Sequence, residues 1–316
     1  MSKKVIGIDI GGTKTAVIFA TEDNGNIEFV EKIEFVTTTV NETIESIFNH
    51  TEGVIKKQGK VDAIGISCGG PLDSTTGVIM LPPNLPGWDN ISIVDMVKKR
   101  FGVPCALQND ANACALAEWK FGNGRGTHNM VFLTFGTGLG AGLILNGQLY
   151  SGTNDNAGEV GHIRLSDFGP VGYGKTGSFE GFASGGGIAQ LAKMKLMEKY
   201  QMGGQVPWCS AEKIISITTK DVAENAKKGD ALACEIIRIS AKYLGRGLAV
   251  LIDILNPECI VVGSIYARNE DLFFPTVKAV LEEEALPPAN KVCRIVPAGL
   301  GEAIGDYAAV SIACNI

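Results

Sequence analysis

Asp9-Ile10-Gly11-Gly12-Thr13-Lys14 lies between two apolar runs, Lys4-Val5-Ile6-Gly7-Ile8 and Thr15-Ala16-Val17-Ile18-Phe19. The pattern returns at Gly136-Thr137-Gly138-Leu139-Gly140-Ala141-Gly142, flanked by Met130-Val131-Phe132-Leu133-Thr134-Phe135 and Leu143-Ile144-Leu145. Glycine admits positive φ and carries no Cβ, so backbone N–H groups at such turns can close around an anion. Neither turn spells G-x-G-x-x-G or G-x-x-x-x-G-K-[ST], and each runs into a strand. That excludes the Rossmann and P-loop readings. Either turn alone fits a plain hairpin corner. Two in one chain, tipped by Asp9, Thr13 and Thr137, point to hairpins that clamp nucleotide phosphates.

Outward from the first turn, strand-like and helix-like segments alternate. Helical spacing is expected from Thr43 to Lys57, Ile91 to Phe101 (capped by Asn90 or Ser92) and Ala111 to Lys120. Short strands are expected at Ala63–Ser67, before the turn cluster Cys68-Gly69-Gly70-Pro71, and at Val103–Leu107. The pattern restarts after Lys120–Gly126, with hairpin strands at 130–135 and 143–150 and a glycine-rich stretch from Ser151 to Gly177. Helices follow at Ile188–Tyr200, Asp230–Leu255 with a break, Leu272–Glu284 and Ala303–Ala313, and a buried strand at Cys259–Gly263. This is a duplication of architecture rather than of sequence. It predicts an α/β fold of two lobes with a ligand cleft between them, residues 1–118 plus 300–316 forming the smaller lobe and 119–299 the larger.

Composition narrows the partners. The chain has 316 residues, 45% hydrophobic and 20% charged, with net charge −6, which describes a globular protein with a large core. No basic stripe longer than Lys98-Lys99-Arg100 offers itself to nucleic acid, and no apolar run reaches transmembrane length. Asp9 interrupts the N-terminus too early for a signal-peptide core, so a cytoplasmic location is expected. Eight cysteines without C-x-x-C pairing read as buried, reduced thiols, and three histidines are too few for a histidine-rich metal site.

Several polar residues invite chemistry. Asp110 follows a strand and opens a helix, where N-capping explains it slightly better than a role as general base. Glu159-Val160-Gly161-His162 has ExxH spacing, yet Gly158 and Gly161 argue against a helical metal site. A loop offering a carboxylate and an imidazole to a polyhydroxylated ligand competes with a loop of no function. Leu85-Pro86-Gly87-Trp88 reads as a turn with an exposed aromatic, either packing a lobe edge or walling a pocket.

Taken in order, these motifs resemble the ROK sugar kinases of the hexokinase–actin–Hsp70 superfamily, whose fold is two-lobed and ribonuclease H-like. The resemblance spans nearly the whole chain: Asp9–Lys14, Gly69-Gly-Pro-Leu-Asp73, Asn84-Leu-Pro-Gly-Trp88, Asn109-Asp-Ala-Asn-Ala113, Gly136–Gly142, Asn146-Gly147, Gly158–His162 and Val261-Val-Gly-Ser264. It implies that Asp110 is the catalytic base acting on a sugar hydroxyl, the C6 hydroxyl for a hexose. Asn84, Asn109, Asp110, Glu159, His162 and Glu180 would bind the sugar. Gly11, Gly12, Thr13 and Lys14, with Gly136, Thr137, Gly138 and Gly140, would bind the phosphates of ATP. Asp9 would contact Mg²⁺ through its waters, and Gly263 and Ser264 would lie in the adenosine motif. A homodimer is common among such kinases.

The chain departs from the family at its zinc loop. Where C-x-C-G-x-x-G-C-x-E is usual, it reads Val171-Gly172-Tyr173-Gly174-Lys175-Thr176-Gly177-Ser178-Phe179-Glu180. The thiols are gone and the glutamate stays. No structural zinc is expected, with Phe168, Val171, Tyr173 and Phe179 packing as a small apolar cluster in its stead. The resemblance leaves two alternatives to a kinase. One is a sugar-responsive regulator, whose family members carry an N-terminal helix-turn-helix that is not expected here, since the sequence opens in the first phosphate-loop strand. The other is a sugar-binding protein without catalysis, which the presence of Asp9, Asp110 and both glycine turns disfavours.

Overall fold

A computed structural model describes residues 2–316. Its elements run β1 (Lys3–Ile10), β2 (Lys14–Asp23), β3 (Asn26–Val36), α1 (Val40–Gln58), β4 (Ala63–Cys68), β5 (Leu72–Asp73), β6 (Val78–Ile79), α2 (Ile93–Phe101), β7 (Cys105–Asn109) and α3 (Asp110–Phe121). Next come β8 (Met130–Leu133), β9 (Ala141–Leu145), β10 (Gln148–Tyr150), β11 (Val171–Gly172), β12 (Lys175–Thr176), α4 (Phe179–Phe182), α5 (Gly185–Gln201) and α6 (Thr219–Lys227). The chain closes with α7 (Ala231–Leu255), β13 (Cys259–Val262), α8 (Ser264–Arg268), α9 (Glu270–Glu284), α10 (Pro287–Val292), β14 (Arg294–Pro297) and α11 (Ile304–Cys314). Contacts divide it into two compact units, residues 2–128, 142–157 and 299–316 in one and 129–141 and 158–298 in the other.

In the first unit the sheet order is β3-β2-β1-β4-β7. The hairpin strands β1, β2 and β3 pair antiparallel, whereas β1, β4 and β7 are parallel. Every residue of β4 is buried, as expected of a parallel strand covered on both faces. Helix α1 is capped by the Thr39 side chain, which accepts from Glu42 N, and turns Ile44, Ile47 and Val54 to the core. On the other face of the sheet lies α11. Gly7 and Gly65 are register partners on β1 and β4, and a Cβ at either would stand 2.7 Å from Val310 N or 2.4 Å from Ala313 N. Only glycine at both positions lets the α11 backbone rest directly on the sheet.

Trp88, expected as an exposed aromatic, is instead buried at 1% exposure in the core of this unit. The Leu85-Pro86-Gly87 turn, with Gly87 at positive φ, folds the indole inward among apolar side chains that include Leu85. Burial of so large an apolar surface outweighs the turn's polar setting.

In the second unit β13 runs parallel between β8 and β14. Helix α7 is continuous over its 25 residues, contrary to the expected break. Its glycines are packing points: a Cβ at Gly245 would meet Val280 Cβ of α9 at 2.8 Å, and one at Gly247 would strike the Phe179 ring. Tertiary contact there offsets the poor helix propensity of glycine. Ser178 and Ser184 cap α4 and α5, accepting from Gly181 N and Gly187 N.

Candidate active site

The first glycine turn is closed by Gly11 N donating to Lys14 O at 3.0 Å. Thr37 buttresses it from β3's end, donating through Oγ1 to Gly11 O (2.7 Å) and through N to Thr13 O (3.0 Å). The Gly12 and Thr13 N–H groups carry no protein partner, so the turn presents donors to an anion. Gly12 also packs on the Asn84 segment, since a Cβ there would meet the Asn84 carbonyl oxygen at 2.3 Å. The Lys14 ammonium is engaged with Glu34 at 2.6 Å on the surface.

Asp110 stands at the first residue of α3, but it does not cap that helix. Asn109 does, its Oδ1 accepting from Asn112 N at 2.8 Å. Asp110 Oδ1 accepts from the adjacent Ala111 N–H at 2.8 Å, and the residue's own backbone N–H also faces the carboxylate. The residue as a whole stays in contact with solvent. Desolvation of its carboxyl end raises its proton affinity, against smaller opposite effects of the Ala111 and Asp110 backbone N–H groups.

Asp9 ends β1 near Asp110. Its pKa is pushed from 3.8 to about 6, first by burial and then by the negative charges of Asp306 and Asp110, with Lys32 opposing. Sequence reasoning missed Asp306 and Lys32. They join in a 2.8 Å ion pair between α11 and β3, and a Cβ at Gly305, in the first turn of α11, would stand 3.6 Å from Asp9 Oδ2. No sequence motif marks them, because the chain separates Asp306 from Asp9 by nearly its whole length. The hint available was a charged residue opening an otherwise apolar closing helix.

In the second unit, Thr134 and Gly140 bracket the other glycine turn, Thr134 N donating to Gly140 O and Gly140 N to Thr134 Oγ1, both at 3.0 Å. The Gly136 and Thr137 carbonyls accept from Gly185 N (2.8 Å) and Gly186 N (3.3 Å) at the start of α5. With the carbonyls turned down onto α5, the Thr137 and Gly138 N–H groups remain without protein partners. Gly263 N donates to Leu133 O (2.8 Å) and Ile265 N to Phe135 O (3.1 Å), which brings Ser264 beside Gly136. Ser264 itself holds a left-handed φ of 49°.

Glu159, His162 and Glu180 gather around the same turn. Glu159 is exposed at the start of a 3-10 turn, Val160–His162, and Gly161 packs on the Leu139 carbonyl, where a Cβ would fall 2.4 Å from the oxygen. Glu180 Oε2 accepts from Leu139 N at 3.0 Å. His162 is half-buried, its ring meeting the edge of Tyr173 at 5.0 Å, and its carbonyl accepts from Lys175 Nζ at 2.7 Å.

The expected apolar cluster in the 168–179 loop does not form. Phe168 and Tyr173 are 73% and 77% exposed and Val171 is exposed too, while Phe179 alone is buried. Polar bonds to backbone hold the loop instead: Gln190 exchanges two bonds with Val171 (2.8 and 3.1 Å), Arg164 donates to Thr176 O (2.7 Å) and Lys175 reaches His162 O. A hairpin only two residues per strand has too little apolar surface to collapse on itself. Among the described residues no three His, Cys, Asp or Glu side chains converge on a metal position. The eight cysteines are free thiols, and burial pushes those of Cys68 and Cys105 up to about 12. Among the described residues no helix is long and apolar enough to cross a membrane.

Halalkalibacterium halodurans glucokinase is 33% identical over 309 residues, covering 95% of this chain and 92% of that protein. The Caldicellulosiruptor bescii xylose repressor is 29% identical, covering 89% of this chain and 70% of the repressor. The crystal structure of a ROK family glucokinase from Streptomyces griseus, in complex with glucose and AMPPNP, superposes with a TM-score of 0.72 at 28% identity. That match covers 99% of this chain and all of the other. Residues 5–315 match the ROK family itself, and with two α/β units, both glycine turns and the Asn109-Asp110 strand end in place, the chain belongs to that family.

Proposed function

We propose that the protein is an ATP-dependent sugar kinase that phosphorylates a hexose or N-acetylhexosamine at its C6 hydroxyl. The observation that carries this reading is Asp110. Asn109 relieves it of capping, so the carboxylate is held only by the adjacent backbone N–H groups and keeps a raised proton affinity, as suits a general base. Asp110 would take the proton from the hydroxyl as the oxygen attacks the γ-phosphate. Asn84, Asn109, Glu159, His162 and Glu180 would hold the other hydroxyls through directional bonds. Phosphoryl transfer asks mainly for positioning and charge neutralisation. The unengaged N–H groups of Gly12, Thr13, Thr137 and Gly138 would offer both to phosphate oxygens, and Gly263 and Ser264, which lies beside Gly136, would contact the nucleotide.

The residues fit Mg²⁺. Asp9 is a hard oxygen ligand under repulsion from two further carboxylates, a setting that a divalent cation relieves. Asp9 would engage the ion through its waters. When bound with ATP, the ion supplies neutralisation of phosphate charge.

The similarity to a xylose repressor supports a second reading, a sugar-responsive regulator. One experiment separates them. A panel of hexoses and N-acetylhexosamines is incubated with ATP and Mg²⁺ in a coupled ADP-release assay. Turnover dependent on one sugar class supports the kinase, and sugar binding without ADP release supports the regulator.

A further inference from the structure

Glu180 sits where three pieces of the second unit meet. Its Oε2 accepts from Leu139 N in the glycine turn. Its Cβ lies 3.2 Å from where Gly161 would carry one, just before His162, and 2.8 Å from the same position at Gly172 in the β11–β12 hairpin. Among the described residues no protein group bonds its other oxygen, Oε1. Gly138 completes the junction. A Cβ there would stand 2.8 Å from Glu180 Oε2 and 3.6 Å from its carboxyl carbon, and would touch nothing else within 4 Å. Gly138 is not at positive φ, so its backbone does not require glycine. The space it leaves is filled by one carboxylate.

We propose that Glu180 is a positioning residue for the 136–140 turn, passing sugar occupancy to the nucleotide-binding backbone through the Leu139 N–H bond. The inference rests on the kinase reading for its ligands, but the tether itself does not. A hydroxyl bound at Oε1 orients the carboxylate, and Oε2 then fixes Leu139 and the two free N–H groups that precede it. Because binding linkage is reciprocal, nucleotide bound on the ordered turn tightens sugar binding by the same factor. The side chain that Gly138 lacks, on this view, makes room for the carboxylate, while its N–H stays with the anion.

Hydrogen exchange at Leu139 in the full-length, ligand-free protein tests the tether. The amide is expected to be protected in the wild type, unprotected in Glu180→Ala and again protected in Glu180→Gln, whose amide oxygen still accepts. Equal exchange in wild type and Glu180→Ala would overturn it. Calorimetry with AMPPNP tests the consequence. In sugar-free protein Glu180→Ala and Gly138→Ala are each expected to weaken AMPPNP about tenfold, the scale of one charge-assisted bond. In the Glu180→Ala background Gly138→Ala is expected to add nothing, because the new methyl group then faces open space. A penalty that persists there would overturn the role given to Gly138. Saturating the wild type with the sugar it phosphorylates is expected to tighten AMPPNP, and Glu180→Ala to abolish that gain. Glu180→Ala that raises only the KM for sugar would make Glu180 a sugar contact alone. Wild-type protein that takes up no AMPPNP would refute the kinase reading and the coupling with it, and leave the tether to the exchange result.

Discussion

Asp9→Asn is expected to stabilise the ligand-free protein while abolishing its activity. Burial and the charges of Asp306 and Asp110 raise the Asp9 pKa from 3.8 to about 6. At about 1.4 kcal/mol per tenfold change in proton affinity, an ionised Asp9 costs the folded state up to about 3 kcal/mol. The sign follows from proton counts. Below about pH 4 Asp9 is protonated in folded and unfolded chains alike and the cost is absent. Between about pH 4 and 6 the folded protein keeps a proton that the unfolded chain has released, so stability falls as pH rises, and above about 6 the cost is complete. Asparagine carries no charge at any of these values. Thermal melts of both proteins at pH 4.5 and 7.5, without nucleotide or divalent cation, are expected to show the variant a few degrees more stable at pH 7.5 and to keep only about a third of that advantage at pH 4.5. A difference that does not change with pH, or a variant less stable at pH 7.5, would refute the claim that Asp9 is held charged against its neighbours. Added Mg²⁺ and ATP are expected to raise the melting temperature of the wild type more than that of the variant.

Asp110→Asn is expected to lower kcat at least about 100-fold with sugar affinity retained, as for loss of a positioned base; substantial turnover in a folded variant would rule Asp110 out. Glu159→Ala is expected to raise the KM for sugar roughly tenfold or more and leave the KM for ATP nearly unchanged, which steady-state kinetics resolves. Glu118 is fully buried and its carboxylate accepts from Asn123 N (2.9 Å), Gly299 N (3.1 Å) and Leu300 N (3.0 Å). Glu118→Ala strands all three donors, and chemical denaturation is expected to show a loss of about 3–5 kcal/mol from the first unit. Dialysis against a chelator is expected to leave the melting temperature unchanged. Stoichiometric zinc surviving that treatment would show that other ligands have replaced the thiols.

Sequence by itself determined the parts whose physics is local. Glycine, aspartate and threonine at Asp9–Lys14 and Gly136–Gly140 dictate tight turns with free N–H groups wherever the chain goes. Apolar periodicity likewise marks α1, alanine content marks α3 and short apolar runs mark the buried strands β4 and β13, because each is a property of a local stretch. Strand β3 escaped notice because its charged residues, Glu28, Glu31, Lys32 and Glu34, hide an edge strand within a polar stretch. Position alone favoured Asp110 as the cap of α3, and the fold gave that duty to Asn109, one residue earlier. Trp88 turned inward because only the assembled core offered enough apolar surface to take it. The charge cluster of Asp9, Asp110, Asp306 and Lys32, the Glu118 clamp and the Glu180–Leu139 tether belong to tertiary structure alone. Each joins groups remote in sequence at a few ångströms, and both electrostatic energy and hydrogen bonding depend on that separation in space.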